Sequence, residues 1–197
     1  MVGARRFSEA ISEGDGISLV AAVGDLDSAH AAEAEGAEAL VLNAAVGGLP
    51  GATGLPVLWR PHGSPQQAHD AGADACVLAV AELDDDGDDL ERLHRTAQDL
   101  GLDCVIEVRD DDEIELALER IDPEIFLLSV TRAGDGESPL ETTLDLLPDV
   151  PAGKLAVAEV EVTGRGDVAE LERAGVDAVI VGAGSVADLI GEPPPEV

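Results

Sequence analysis

The chain has 197 residues, of which 45% are hydrophobic, and its 42 acidic and 11 basic residues give a formal net charge of −31. This hydrophobic content is too high for a disordered chain, and the length allows a full buried core. The charge makes nucleic acid and anionic membranes poor partners, because phosphate groups are bound by clustered cations. We therefore expect no nucleic acid or membrane partner.

Several classes of protein are disfavoured by what the sequence lacks. No apolar run approaches the roughly 18 residues of a membrane span, and the first residues lack the apolar core of a signal peptide. We therefore expect a cytoplasmic protein. The acidic excess is typical of a solvated surface adapted to high intracellular salt, where counterions screen repulsion. Cys76 and Cys104 lie in apolar runs without C-x-x-C spacing, which predicts buried thiols and no disulfide or metal pair.

A glycine-centred junction occurs four times along the chain, at Gly36, Gly72, Gly101 and Gly175. At each one a helical pattern ends, one or two small or acidic residues follow, and a short β-rich run begins. Glycine adopts the left-handed conformation at a helix end at little cost, so it marks a helix-to-strand turn. The separations of 36, 29 and 74 residues indicate alternating strands and helices and therefore a parallel sheet.

The hydrophobic pattern predicts eight strands and eight helices in alternation. The strands are expected near 17–23, 38–43, 56–60, 75–80, 103–108, 125–130, 154–160 and 178–182. The helices are expected near 5–12, 26–34, 65–71, 88–99, 111–120, 139–147, 167–174 and 185–190. Between Asn43 and Pro56 the five glycines and prolines leave no room for a normal crossover helix.

Eight βα units predict an α/β fold, a compact (β/α)₈ TIM barrel with trimmed helices and loops, because the chain is shorter than the usual 250 residues or so. A doubly wound open sheet has the same alternation. We expect a single domain over 1–197, with a helical segment at 1–16. Residues 191–197 are expected to form a flexible, acidic, proline-rich tail.

Five segments carry a resemblance to a known family. They are RFSEAISEGDGISLVAAV, AGADACVLAVAELDDD, LGLDCVIEVRDDDE, SPLETTLDLLPDVP and LERAGVDAVIVG. In this order they resemble indole-3-glycerol phosphate synthase over about 7–186. The resemblance favours the barrel over the open sheet. It implies a carbon–carbon lyase of tryptophan biosynthesis that closes an indole ring on a phosphorylated anthranilate sugar, with catalytic groups at the carboxyl ends of the strands.

The resemblance implies catalytic candidates, position by position. Glu107 corresponds to the family's glutamate on strand five, and Glu159 to its glutamate on strand seven. Arg60 stands where the family has a catalytic lysine on strand three. Ala22 and Gly24 replace a glutamate and a lysine on strand one. Arginine stays protonated in proteins, so Arg60 can orient or neutralise a group but is a poor acid.

The resemblance also implies a ligand site for phosphate. Its candidate residues are Ser129, Arg165, Gly182, Gly184 and Ser185. The segment 182–185 precedes the last predicted helix and offers backbone N–H groups to an anion, although its glycines also suit a turn. Ser129 replaces a family asparagine. Glu161 replaces a glycine and brings a negative charge to the site. We expect no metal and no cofactor.

Three functions are consistent with these residues. The first is a diverged barrel that has lost the standard ring closure and binds or transforms a small anionic or phosphorylated metabolite. The second is an active synthase that works with Glu107, Glu159 and Arg60. The third is a non-catalytic scaffold or partner subunit. Alternatively, Arg60, Glu107 and Glu159 have no role in the function and form only an ion-paired remnant of an ancestral site. The oligomeric state is not specified by the sequence.

Overall fold

The computed structural model describes residues 5–14, 16–49, 51–61, 64–83, 88–130 and 138–190. The predicted flexible tail at 191–197 lies outside the described residues. The strands are β1 (Ser18–Val23), β2 (Ala39–Leu42), β3 (Val57–Trp59), β4 (Ala75–Ala79), β5 (Asp103–Val108), β6 (Ile125–Leu128), β7 (Leu155–Ala158) and β8 (Ala178–Gly182). The helices are α1 (Arg6–Ser12), α2 (Leu26–Ala34), α3 (Pro65–Asp70), α4 (Asp88–Asp99), α5 (Asp111–Arg120), α6 (Pro139–Leu146), α7 (Arg165–Ala174) and α8 (Val186–Leu189).

Parallel pairing of neighbouring strands closes the sheet into a barrel in the order β1 to β8. The closing contact joins β8 to β1, with Ala22 opposite Gly182 and Ser18 opposite Ala178. The predicted TIM barrel is therefore confirmed, and the open sheet is wrong. Every predicted strand and helix is present, with ends displaced by no more than two residues. The alternation of apolar runs with helical patterns was sufficient to predict these elements. Each strand is buried along most of its length and therefore appears in the sequence as a nearly continuous apolar run.

Side-chain caps and a glycine determine where several helices begin and end. Ser138 caps α6 by accepting a hydrogen bond from the Glu141 N–H, and the Glu141 carboxylate accepts from the Ser138 N–H in return. Asp110 caps α5 by accepting from the Glu113 N–H. At the other end, Gly175 follows α7 with φ of 100°, a conformation that glycine adopts without strain.

Alternate residues of the strands divide the core into an inner and an outer layer. The inner layer fills the barrel and includes Val20, Val41, Val77, Val105 and Val157. The outer layer packs the other face of the strands against the helices. Cys76 and Cys104 belong to this outer layer, where they are buried, free and opposite one another on β4 and β5. The hydrogen bond between the two thiols and their burial raise the pKa of Cys104 well above its usual value. The prediction of buried thiols is confirmed.

Helix α1 closes the amino end of the barrel. Phe7 and Ile11 are 0% and 2% exposed and belong to the inner layer. The backbone N–H of Ser8 donates to Oδ2 of Asp103, at the start of β5, over 2.9 Å. Burial raises the pKa of the Asp103 carboxyl, against the effect of this hydrogen bond. Helix α1 therefore plugs the barrel interior at this end, and we call the carboxyl end of the barrel the mouth.

No helix is present among the described residues 43–49 and 51–56 between β2 and β3, as the glycines and prolines predicted. Gly48 and Gly51 turn the chain there with φ of 82° and 84°. None of the helices in the described part of the chain is both long and apolar enough to span a membrane.

We expect Phe7→Ala to lower the free energy of unfolding by about 3–5 kcal/mol, because it removes a fully buried ring from the barrel plug. Urea unfolding followed by circular dichroism measures this change. Glu9→Ala on the exposed face of the same helix is the matched control and should change stability by less than about 0.5 kcal/mol. Equal effects of the two substitutions would show that α1 is not part of the core.

Candidate active site at the carboxyl end of the barrel

The inward-facing positions of four strands become polar where the strands end. On β5, Val105 packs in the inner layer, and Glu107 faces the same side two residues later because strand side chains alternate. The same parity applies after the inner-layer residues of β3, β6 and β7. The polar positions reached in this way are Arg60, Glu107, Ser129 and Glu159. The barrel brings these residues together from four strands.

Arg60 joins the two carboxylates of this group. Its Nη1 atom donates to Oε1 of Glu159, and its Nη2 atom lies 3.8 Å from Oε1 of Glu107. The hydroxyl of Ser129 donates to the other Glu159 oxygen over 2.9 Å. Ser129, a predicted phosphate ligand, thus hydrogen-bonds a carboxylate in this structure. Its hydroxyl is available to a ligand as an acceptor or after rotation.

Glu107 is the most deeply buried of these charged side chains, at 3% exposure. A buried carboxylate loses several kcal/mol of hydration unless cations and hydrogen bonds replace the water. Oε1 of Glu107 faces Arg60 at 3.8 Å and Arg109 at 4.0 Å. Oε2 has no hydrogen-bond partner among the described residues. One oxygen is therefore compensated by two cations, while the other has unused acceptor capacity.

Arg109 belongs to the same cluster, and the sequence analysis missed it. Its guanidinium lies 4.0 Å from Glu107 and 3.7 Å from Oε1 of Glu82, which follows β4. Its Nε atom is buried and has no hydrogen-bond partner among the described residues. Its spacing from Glu107 could have identified it, because residue 109 is two positions beyond Glu107 and shares its side of the strand. Together the charged residues link Glu82, Arg109, Glu107, Arg60 and Glu159 in one chain of alternating sign.

The other predicted phosphate ligands lie on the β7–β8 side of the barrel. Gly182 ends β8, and Gly184 and Ser185 lie in the short 3₁₀ turn Ala183–Ser185. All three are exposed. A Cβ atom added at Gly184 would meet nothing within 4 Å. This segment therefore presents open backbone, and no hydrogen bond or ion pair in the described part of the chain connects it to the charged cluster.

Arg165, a predicted phosphate ligand, makes a structural contact through its guanidinium. Its Nε donates to the backbone carbonyl of Asp188 over 3.0 Å and so ties the start of α7 to α8. Nearby, the Asp167 carboxylate accepts from both the backbone N–H and the hydroxyl of Thr163 at 2.7 Å. These hydrogen bonds lower the pKa of Asp167. The Asp167 carboxylate thus already occupies the two donors of Thr163, which an external anion could otherwise have used.

The single lysine lies at the other end of the barrel. Lys154 precedes β7 and forms an ion pair with Asp122, which precedes β6. A cleft of about 400 Å³ opens at this amino end and is lined in part by His94, Asp103 and Glu124. Burial lowers the pKa of His94, against the effect of Glu124 and Asp122. No group of three or more metal-ligating side chains that could hold an ion occurs among the described residues.

The sequence profile of one family, indole-3-glycerol phosphate synthase, matches residues 65–188. This range is well over half of the chain and includes Glu107, Ser129 and Glu159. The chain belongs to the indole-3-glycerol phosphate synthase family. Arg60 lies before the matched range and is placed in the site by its contacts with Glu107 and Glu159.

Solved structures of other barrels superpose on this family member. A thiamine phosphate pyrophosphorylase from Pyrococcus furiosus aligns at 15% identity and a TM-score of 0.64, over 88% of this chain and 90% of the other. A mutant tryptophan synthase α-subunit from Pyrococcus furiosus aligns at 16% identity and a TM-score of 0.64, over 87% and 88%. A mandelate oxidase mutant aligns at 18% identity and a TM-score of 0.65 over 86% of this chain, which spans only 65% of that protein. At such identities the likeness establishes the fold alone.

We expect Arg60→Met to lower the free energy of unfolding by about 3 kcal/mol, because it leaves the buried Glu107 without its nearest cation. The double variant Arg60→Met/Glu107→Gln should be more stable than the sum of the two single effects, by about 1–3 kcal/mol in a double-mutant cycle. Urea unfolding of the four proteins measures the coupling.

Arg92→Met is the control for loss of an arginine, since Arg92 is 62% exposed and forms a surface ion pair with Asp89. It should change stability by less than about 1 kcal/mol. Additive effects of the Arg60 and Glu107 substitutions would mean that the two side chains do not interact in solution.

Proposed function

We propose that this family member binds a small anionic metabolite at the carboxyl end of the barrel and does not catalyse the standard indole ring closure. The observation that carries the proposal is the ion pairing of Arg60. This arginine stands where the family has a lysine, and two carboxylates, Glu107 and Glu159, hold its guanidinium.

Ring closure and dehydration require a group that gives a proton to the sugar carbonyl or hydroxyl. A lysine serves this purpose because burial lowers its pKa towards neutrality, whereas a guanidinium keeps its proton. Lys154 is no substitute, since it lies at the amino end in an ion pair with Asp122.

Binding of an anion is supported by a different part of the mouth. The exposed segment Gly182–Ser185 offers backbone and a hydroxyl in open space, with no side chain at two of its four positions. Such small residues allow close approach of a ligand to the backbone. Glu161 lies three residues beyond the end of β7 and is exposed. Its negative charge opposes an anion, so we place the anionic group on the β8 side, at Gly182 to Ser185.

A second candidate function is the active synthase, and one observation favours it. Glu107 and Glu159 are both present and both lie beside Arg60, so two carboxyl groups and a fixed cation lie within one cluster. In that case the enzyme would be a carbon–carbon lyase in which a carboxylic acid takes the place of the lysine as proton donor.

We expect no indole-glycerol phosphate above background when the purified protein is incubated with the family's phosphorylated anthranilate sugar. Indole fluorescence and mass spectrometry of the mixture measure the product. Turnover in the wild type that disappears in Glu107→Gln would overturn this part of the proposal and establish the active synthase. Turnover that survives in Glu107→Gln would identify a contaminating enzyme.

We expect phosphorylated sugars or anthranilate to raise the thermal midpoint, because a ligand of the folded state stabilises it by about 2.7 kcal/mol at one hundred times its dissociation constant. Gly184→Asp should abolish the shift by placing a negative charge at the anion site, in space that is open in the structure. Ala152→Asp adds the same charge to an exposed turn at the amino end and should preserve the shift. No shift with any of these compounds would favour the scaffold function instead.

A further inference from the structure

A groove on the outside of the barrel combines apolar side chains with a rim of carboxylates. It lies between α5 and the 3₁₀ turn Leu147–Asp149, which follows α6, and has a volume of about 410 Å³. We call it the α5 groove, and its lining residues are Asp111, Ile114, Glu115, Leu118, Glu119 and Asp149. The two apolar side chains are buried or partly buried, whereas the four acidic residues are exposed.

The spacing along α5 arranges this lining in two rows. Ile114 and Leu118 are four residues apart and lie one above the other on the helix surface. The acidic row consists of Asp111, Glu115 and Glu119, which have the same spacing and rise by about 6 Å at each step. A row of carboxylates therefore runs beside a row of apolar side chains.

The carboxylates of the α5 groove are not compensated within the chain. None of the four accepts a hydrogen bond or forms an ion pair in the described part of the structure. Other contacts between helices contain a cation, since Arg120 lies 3.7 and 3.8 Å from two carboxylates of α4 and Arg165 ties α7 to α8. Acids of the amino-end cleft pair with Arg5 and Lys154. The α5 groove thus has room for a cation that only another molecule can supply.

Charge also determines which occupant fits. A second copy of this chain would bring a further net charge of −31, and seven of its 11 basic residues already lie in internal ion pairs. Nucleic acid and anionic membranes are excluded by the same repulsion. A basic segment of another protein is complementary to the acidic row, and its apolar side chains would cover the apolar row.

We propose that the α5 groove docks a basic amphipathic helix of a partner protein. Leucine-like side chains of the partner contact Ile114 and Leu118, and its lysine or arginine side chains pair with the acidic row. This is the helix-in-groove mode of recognition, in which apolar anchors supply affinity and charges select the partner. The inference is independent of the proposed function, because the α5 groove lies outside the barrel and the anion site lies at the mouth.

A synthetic peptide that copies the pattern of α5 with opposite charge is the probe. It is an alanine-based helix with lysine at the places of the acidic row and leucine at those of Ile114 and Leu118. The control peptide has alanine in place of both leucines and keeps the same charge. We expect the leucine peptide to bind about tenfold more tightly, because its leucines are buried in the groove. Fluorescence anisotropy at one fixed salt concentration gives both dissociation constants.

Two double charge reversals locate the binding surface. Glu115→Lys/Glu119→Lys reverses most of the acidic row and should weaken binding of the leucine peptide by about tenfold or more. Glu170→Lys/Glu172→Lys makes the same change in net charge at exposed positions of α7 and should weaken it by less than about threefold. All four positions are exposed, so both variants should fold, and circular dichroism checks this.

Each outcome bears on the inference. Equal binding of the two peptides, or equal losses in the two double variants, would reduce the interaction to general attraction by an acidic surface and overturn the inference. No binding of the leucine peptide would overturn it as well. Sedimentation of the protein alone tests the other occupant. Self-association that Glu115→Lys/Glu119→Lys abolishes would assign the α5 groove to a second copy and overturn the partner protein. If anion binding fails while the two peptides are still distinguished, the proposed function is wrong and the docking inference stands.

Discussion

The carboxylate of Glu107 must be compensated for the water that it loses inside the barrel, and the polar side chains of the mouth are arranged around this requirement. At 3% exposure it needs positive charge nearby. Arg60 reaches it from β3 and Arg109 from its own strand. Each arginine in turn contacts a second carboxylate, Glu159 or Glu82. Barrel closure makes this possible, because it brings the ends of distant strands within side-chain reach.

Basic residues are scarce in this chain, with 11 against 42 acidic ones, and several of them join segments that are distant in sequence. At the amino end Arg5 pairs with Glu124, and Arg6 lies 2.9 Å from Asp74, so α1 is tied to the starts of β6 and β4. Arg5 and Arg6 are about half exposed in these pairs, so each pair contributes little free energy. Their effect is to orient the plug, whereas the free energy comes from burial of Phe7 and Ile11.

The fold could be read from the sequence because its signals are local. A helix-ending glycine, a cap such as Ser138 or a short apolar run each specifies one element. Eight strands that alternate with eight helices are compatible with few topologies. The family resemblance also placed Arg60 and Glu159 at the carboxyl ends of their strands. The partners of long side chains were not predictable in the same way. Arg165 reaches a carbonyl of α8, and this choice depends on neighbours that only the folded chain brings near.

We propose recognition and not proton transfer at this mouth because of the charges that it holds. A proton relay needs groups whose charge changes near neutral pH. An arginine keeps its charge at that pH, and Arg60 and Arg109 are the cations of this cluster. Fixed charges of alternating sign instead form an oriented set of donors and acceptors, and for this reason we expect recognition at this mouth.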